Sequence, residues 1–184
     1  MAENEHGIFR IASNLAGACL ISGLVIGAVW YVTAPVAAEK AEAMKQESMR
    51  SLVADAERFE EIPGEAGCFA AQQGGKTVAY IVPAESKGYG GRIKLLVAVT
   101  AEGQVIDFSI LEHNETPGLG DNAKKPGFRQ QFAGKTADKL EVTKDKANTE
   151  NIQAMTGATI SSRAVTLGVK QAAEKAAALA KGGK

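Results

Sequence analysis

The stretch Met155–Ser162, MTGATISS, is the part of the sequence around which we interpret the rest. Four of its residues carry a hydroxyl, Gly157 and Ala158 leave the backbone accessible, and an alanine-rich helical pattern follows directly. The first amides of a helix are unpaired and lie at the positive end of its dipole, which favours a bound phosphate. The same residues also fit an ordinary helix N-cap made of serine and threonine. This stretch alone leaves both interpretations open.

Composition excludes several classes of protein. The 184 residues include 21 basic and 21 acidic side chains, so the formal net charge is zero and there is no basic field to attract nucleic acid. Two histidines are too few for a histidine-based metal site. Cys19 lies inside an apolar run, so we do not expect it to pair with Cys68. The length fits one domain with an appendage. From the charge and the histidine count we expect neither nucleic acid nor a metal ion as a partner.

An uncharged apolar run covers residues 11–32, IASNLAGACLISGLVIGAVWYV. As a helix it is about 33 Å long, which is enough to cross the hydrocarbon of a bilayer. A cleaved signal peptide is the alternative, but its apolar core is usually only about 7–15 residues long. We therefore predict one uncleaved transmembrane helix over residues 11–32, preceded by a short polar tail, residues 1–10.

Small and polar residues within the predicted span suggest that it packs against other membrane helices. Gly23 and Gly27 have GxxxG spacing, which lets helices approach closely, although glycine is common in membrane spans in general. Asn14 is polar at bilayer depth and needs a partner. Cations are more numerous after the span than before it, and this count would place the C-terminal part inside the cell.

The rest of the chain predicts an α+β fold. Residues 33–62 are predicted to form a connecting helix, with the helical pattern running from Pro35 to about Phe59. Residues 63–184 are predicted to form a domain with an antiparallel-rich sheet and packed helices. Four longer strands are predicted over Cys68–Gln72, Lys76–Pro83, Arg92–Thr100 and Gln104–Glu112. A short helix over Pro126–Phe132, a strand near Leu140–Val142 and a terminal helix over Arg163–Lys181 follow.

Two loops between these elements have unusual compositions. The first is KGYGGRI, residues 87–93, where three glycines surround Tyr89; this indicates either backbone pressed against something flat or bulky, or a flexible turn. The second is HNETPGLGD, residues 113–121, in which Pro117 and Gly118 favour a type II turn. Its His113 and Glu115 are either an acid–base couple or a pair in which the histidine braces the loop.

KGYGGRI, HNETPGLG and MTGATISS, in this order after an N-terminal span, resemble the sequence pattern of the RnfG family, the G subunits of the Rnf electron-transport complex. The chain is also similar to the NqrC family of the sodium-translocating NADH:quinone reductase. The resemblance covers nearly the whole chain, and it implies an FMN-binding domain outside the cytoplasm. It further implies that FMN is joined through a phosphoester to the last threonine of the motif, which is Thr159 here.

The resemblance also implies which residues lie beside the flavin. The expected noncovalent contacts are Thr156, Gly157, Ala158, Thr116, Gly118, Leu119 and Tyr89. Relatives usually have an acidic residue where this chain has Gln153. If the carboxylate helps the transferase to recognise its target, flavin attachment here would be less efficient or would use another type of transferase. Alternatively, the loss of negative charge would ease phosphate binding slightly.

The function implied is electron transfer in a membrane-bound, ion-translocating ferredoxin:NAD oxidoreductase complex, with no catalytic residue in this chain. The expected partners are the other membrane and peripheral subunits, a flavin transferase during maturation, and the lipid bilayer. The expected location is the inner membrane, with the C-terminal domain extracytoplasmic, against the cation count. A cofactor-free membrane assembly protein is the alternative. A self-standing flavin reductase or sensor domain is a third possibility, with His113 and Glu115 as its candidate acid–base residues.

Overall fold

The computed structural model of the chain describes residues 3–145 and 147–182. It divides into two compact units, Met1–Ala43 and Met44–Lys184. The first helix, α1, runs from Glu3 to Leu52 and contributes to both units.

The first unit is helical throughout its described residues. The helical segment Gly7–Leu52 contains an 18-residue window with a mean hydropathy of 2.0, none of it buried, so it is long and apolar enough to cross a membrane by length and composition. The predicted tail 1–10 is helical from Glu3 onward, and its first two residues lie outside the described part of the chain. Pro35 lies inside the helix without ending it, although proline removes one backbone donor.

The predicted connecting helix was too long at its C-terminal end. The structure ends α1 at Leu52, and a turn in which Ala56 N–H donates to Val53 O (3.2 Å) follows. Strand β1 then runs over Arg58–Glu61 and pairs antiparallel with the next strand, with Phe59 opposite Ala71. Cross-strand pairing therefore overrides the local helical preference of this segment. The sequence pattern alone does not reveal this pairing.

The second unit is built on a five-stranded antiparallel sheet with strand order β1-β2-β3-β4-β5. Strands β2 to β5 cover Phe69–Gln73, Lys76–Lys87, Arg92–Val99 and Val105–Glu112, which confirms the four longer predicted strands. The predicted hairpin turn between β4 and β5 is also present, because Gly103 has a φ of 85° and Thr100 N–H donates to Gln104 O (2.8 Å).

Strand β4 is buried on both faces, as its continuous apolar pattern predicts. Leu95, Val97 and Val99 belong to one apolar cluster, which also contains residues of the terminal helix. Leu96 and Ala98 belong to a second cluster with Met49, Leu52 and Val53 from the end of α1. The sheet therefore forms the central layer of this unit.

The terminal helix, α3, runs over Thr159–Gly182 and begins four residues earlier than predicted. Before it, the short helix α2 covers Pro126–Arg129 and continues as a 3-10 turn to Phe132, which matches the predicted helix there. A two-stranded parallel sheet pairs β6, Val142–Thr143, with β7, Ile152–Gln153. Strand β6 begins two residues later than predicted, after a 3-10 turn over Ala137–Lys139.

Candidate functional site

A cavity of about 680 Å³ opens where four separate segments of the second unit meet. These segments are the glycine-rich loop after β3, the turn after β5, the start of the loop after β6 and the start of α3. The cavity is lined by Tyr89, Glu115, Thr116, Leu119, Gly120, Lys144, Gly157, Ala158, Thr159, Ile160 and Ser161. Its volume falls within the range of about 300–1,000 Å³ that is typical of small-ligand sites.

The start of α3 presents unpaired amides to this cavity. The first intrahelical hydrogen bond runs from Ser162 N–H to Ala158 O (2.9 Å), so the amides of Thr159, Ile160 and Ser161 have no acceptor within the helix. Gly157 has a φ of 75°, and a Cβ there would lie 3.2 Å from a methyl group of Leu119. The backbone can therefore approach a phosphate closely, and the helix dipole favours its charge.

The four hydroxyls of MTGATISS have different environments. Ser162 Oγ donates to Ala158 O (2.9 Å) and accepts from Met155 N–H (2.9 Å). Ser161 is almost fully buried, and its hydroxyl donates to the carboxylate of Glu115. Thr159 is half-buried and lines the cavity, whereas Thr156 is exposed and does not line it. Ala158, directly before the helix, supplies no side-chain cap. Among the four hydroxyls of the motif, only that of Thr159 both lines the cavity and has no hydrogen-bond partner among the described residues.

Glu115 joins three of the segments that line the cavity. The residue is 6% exposed, and its carboxylate accepts from Gly90 N–H (2.9 Å) and from the hydroxyl of Ser161 in α3. A Cβ on Gly88 would lie 2.2 Å from Glu115 Oε1, and a Cβ on Gly90 would lie 1.9 Å from Asn114 O. The glycine-rich loop is therefore pressed against the HNETPGLG turn, which supports the close-approach interpretation of its glycines.

The HNETPGLG segment forms the predicted type II turn. Gly118 has a φ of 77°, and Leu119 N–H donates to Thr116 O (3.1 Å). His113 Nδ1 accepts from the backbone N–H of Glu115 (3.2 Å), which confirms that the histidine braces the loop. Since the Glu115 carboxylate binds Gly90 and Ser161 instead, the two side chains do not form an acid–base couple.

Three large apolar side chains surround the cavity and are open to solvent. Tyr89 is 72% exposed, Ile160 is 55% exposed and Leu119 is 44% exposed. Clustered exposed apolar groups mark a ligand or partner site, whereas isolated ones need no explanation. The arrangement suits a ligand with a flat apolar body at the rim and an anionic group at the start of α3, and FMN has both parts.

The structure brings most of the predicted contact residues together. Thr159, Gly157, Ala158, Thr116, Leu119 and Tyr89 all line the cavity, whereas Thr156 and Gly118 do not. Sequence reasoning missed Lys144, Ile160 and the anchoring role of Glu115. No motif contains Lys144, but Ile160 lies within MTGATISS and Glu115 lies within HNETPGLG.

Comparison with known proteins also assigns the part of the chain that forms the cavity to an FMN-binding domain. The model of the FMN-binding domain family matches residues 88–174, which include every segment that lines the cavity. NqrC of Shewanella oneidensis has a similar fold: the TM-score is 0.52 at 21% identity, over 71% of this chain and 73% of that chain. These matches confirm the predicted α+β fold of an FMN-binding domain.

Two relatives extend the comparison to the level of the complex. The G subunit of the Na⁺-translocating ferredoxin:NAD⁺ oxidoreductase complex of Acetobacterium woodii is 43% identical over 100 residues, covering 52% of this chain and 47% of that protein. The G subunit of the proton-translocating ferredoxin:NAD⁺ oxidoreductase complex of Clostridium ljungdahlii is 60% identical over 173 residues, covering 94% of each chain. With the cavity described above, this similarity shows that the chain belongs to the family of G subunits of ion-translocating ferredoxin:NAD⁺ oxidoreductase complexes.

Proposed function

We propose that this chain relays electrons in a membrane-bound, ion-translocating ferredoxin:NAD⁺ oxidoreductase complex, through FMN joined by a phosphoester to Thr159. The observation that carries the proposal is the free Thr159 hydroxyl, which lies at the start of α3 inside a cavity with an apolar rim. The names of the relatives support the same type of complex.

The residues of the cavity match the parts of FMN. The amides at the start of α3 and the ammonium group of Lys144 offer positive potential to a phosphate. Tyr89, Leu119 and Ile160 offer apolar surface to a flavin ring and would exclude water from it. When bound, the flavin supplies the redox chemistry, and the protein positions it and adjusts its electronic environment.

Hydrogen bonding explains why Thr159 would be modified in preference to its neighbours. Ser161 and Ser162 are both buried, and each hydroxyl is occupied by a hydrogen bond, so neither is accessible to a transferase. Thr156 is exposed but lies outside the cavity lining. Thr159 combines accessibility with the position in which an attached phosphate would meet the helix amides.

The experiment is to co-express the full chain with a flavin transferase, denature it and measure flavin fluorescence on the protein band. We expect label on the native sequence and on Thr156→Ala, and no label on Thr159→Ala. Thr159→Ser keeps a hydroxyl and is expected to retain label, which separates chemistry from misfolding. Equal label on Thr159→Ala rejects the attachment site, and no label on any variant favours the cofactor-free assembly protein.

The proposed location is the inner membrane, with the apolar part of α1, residues 11–32, in the bilayer among the other membrane subunits and the flavin domain outside the cytoplasm. The length and hydropathy of Gly7–Leu52 support membrane insertion, and the family resemblance supports the orientation. Protease should digest the domain in right-side-out vesicles. Digestion that occurs only in inverted vesicles would place the domain on the cytoplasmic side.

A further inference from the structure

We infer that Gln153 is a positioning residue, whose side-chain amide holds the described residues of the loop after β6, 144–145 and 147–151, so that Lys144 faces the Thr159 cavity. The loop connects β6 to β7, and Lys144 is its first residue. Among the described residues that line the cavity, Lys144 is the one with a cationic side chain. The inference rests on the proposed function only for the identity of the ligand that Lys144 meets.

The contacts of Gln153 join the two ends of the loop. Its side-chain Nε2 donates to Asp145 O (2.7 Å) and to Asn148 O (2.5 Å), both within the loop. Its own backbone N–H donates to Gln131 Oε1 (2.7 Å), and it lies opposite Thr143 in the β6–β7 pair. One side chain therefore ties the residue after Lys144 to strand β7.

The chemistry of these contacts requires the amide. Both acceptors are backbone carbonyl oxygens, so the side chain at this position must supply two N–H donors. A glutamate of the same shape would place an oxygen against two other oxygens and would repel them. A methionine of similar size would leave both carbonyls without this donor. Either change is expected to release the loop segment next to Lys144.

The position of Lys144 matters because a cation near a flavin phosphate or a reduced flavin stabilises negative charge. Lys144 is exposed, so where its ammonium group lies depends on the backbone that presents it. Loss of the Gln153 brace would leave the charge on the protein but no longer directed at the cavity. Gln153→Met and Lys144→Met should therefore have the same kind of effect on a bound flavin.

The first test is hydrogen–deuterium exchange on the full chain without flavin. Loss of two hydrogen bonds predicts that the amides of residues 144–145 and 147–151 exchange about tenfold faster in Gln153→Met and in Gln153→Glu. Gln130→Met makes the same chemical change at an exposed neighbouring position and should exchange like the native sequence. Native-like exchange of the loop in Gln153→Met would overturn the inference.

The second test measures the midpoint potential of the flavin on the loaded chain, which a purely structural role of Gln153 would not move. We expect Lys144→Met and Gln153→Met to shift it to more negative values, and the double variant to shift it no further than Lys144→Met. An unchanged potential in either single variant, or fully additive shifts, would overturn the inference. If no flavin attaches, the proposed function and the role of Lys144 both fail, whereas the exchange experiment still decides whether Gln153 closes the loop.

Discussion

Replacing Gly90 with alanine should force apart the two loops that form one side of the cavity. A Cβ on Gly90 would lie 1.9 Å from Asn114 O and 2.7 Å from Asn114 C, and both are backbone atoms that no rotamer change can move. Ordinary contact begins near 3.4 Å, so the loops must separate by about 1.5 Å. That separation also weakens the hydrogen bond from Gly90 N–H to Glu115.

The cost follows from these two effects. Forced overpacking typically costs about 1–3 kcal/mol, and a weakened hydrogen bond to a charged group adds to it. For a domain of this size, the loss corresponds to a decrease in Tm of roughly 3–10 °C. The flavin site should loosen as well, because the same two loops line the cavity.

The assay is thermal unfolding of the purified chain in detergent, followed by circular dichroism. Gly127→Ala is the matched control, because a Cβ there meets no atom within 4 Å and the position lies in helix α2. We expect it to unfold at the native temperature or slightly above. A Gly90→Ala variant as stable as this control would refute the close approach of the two loops.

The remaining predictions concern a buried carboxylate, a helix–sheet contact and an exposed ion pair. Glu115→Ala removes the acceptor of one buried and one partly buried hydrogen bond and should lower the free energy of unfolding by about 2–4 kcal/mol in a urea titration; a loss under about 0.5 kcal/mol would contradict its anchoring role. Gly168→Val should cost about 1–3 kcal/mol in the same assay, because a Cβ there lies 2.6 Å from Leu95 Cδ1. The hydrogen bond and the charge of Lys139 lower the pKa of Glu150 below its ordinary value of 4.5. The ion pair therefore stabilises the fold above pH 4.5, and this stabilisation is lost as acidification protonates the carboxylate. The decrease in Tm on acidification should therefore be smaller in Lys139→Met.

The sheet of the second unit could be predicted because its strands carry strong local signals. The apolar run Leu95–Val99 predicts a strand buried on both faces, and the Ala101–Gln104 turn predicts its hairpin partner. Strand β1 could not be predicted in this way. Its segment has helical composition, and its strand conformation depends on pairing with residues that follow it in the chain.

The candidate site was predictable where residues are local to a motif and not where they depend on the fold. Thr159 and its neighbours lie within one motif, so the motif is enough to place them together. Glu115, in contrast, binds partners that are 25 and 46 residues away in sequence, and neither contact leaves a periodic signal. Lys144 lies in a polar loop outside the motifs, and its place beside the cavity depends on the fold, in which β6 pairs with β7.

The most direct measurement is the intact mass of the chain purified from cells that contain a flavin transferase, followed by mapping of the modified peptide. We expect the mass of the polypeptide plus one FMN phosphoester, with the adduct on the peptide that contains Thr159. A mass equal to the polypeptide alone, or an adduct on a peptide without Thr159, would contradict the central claim.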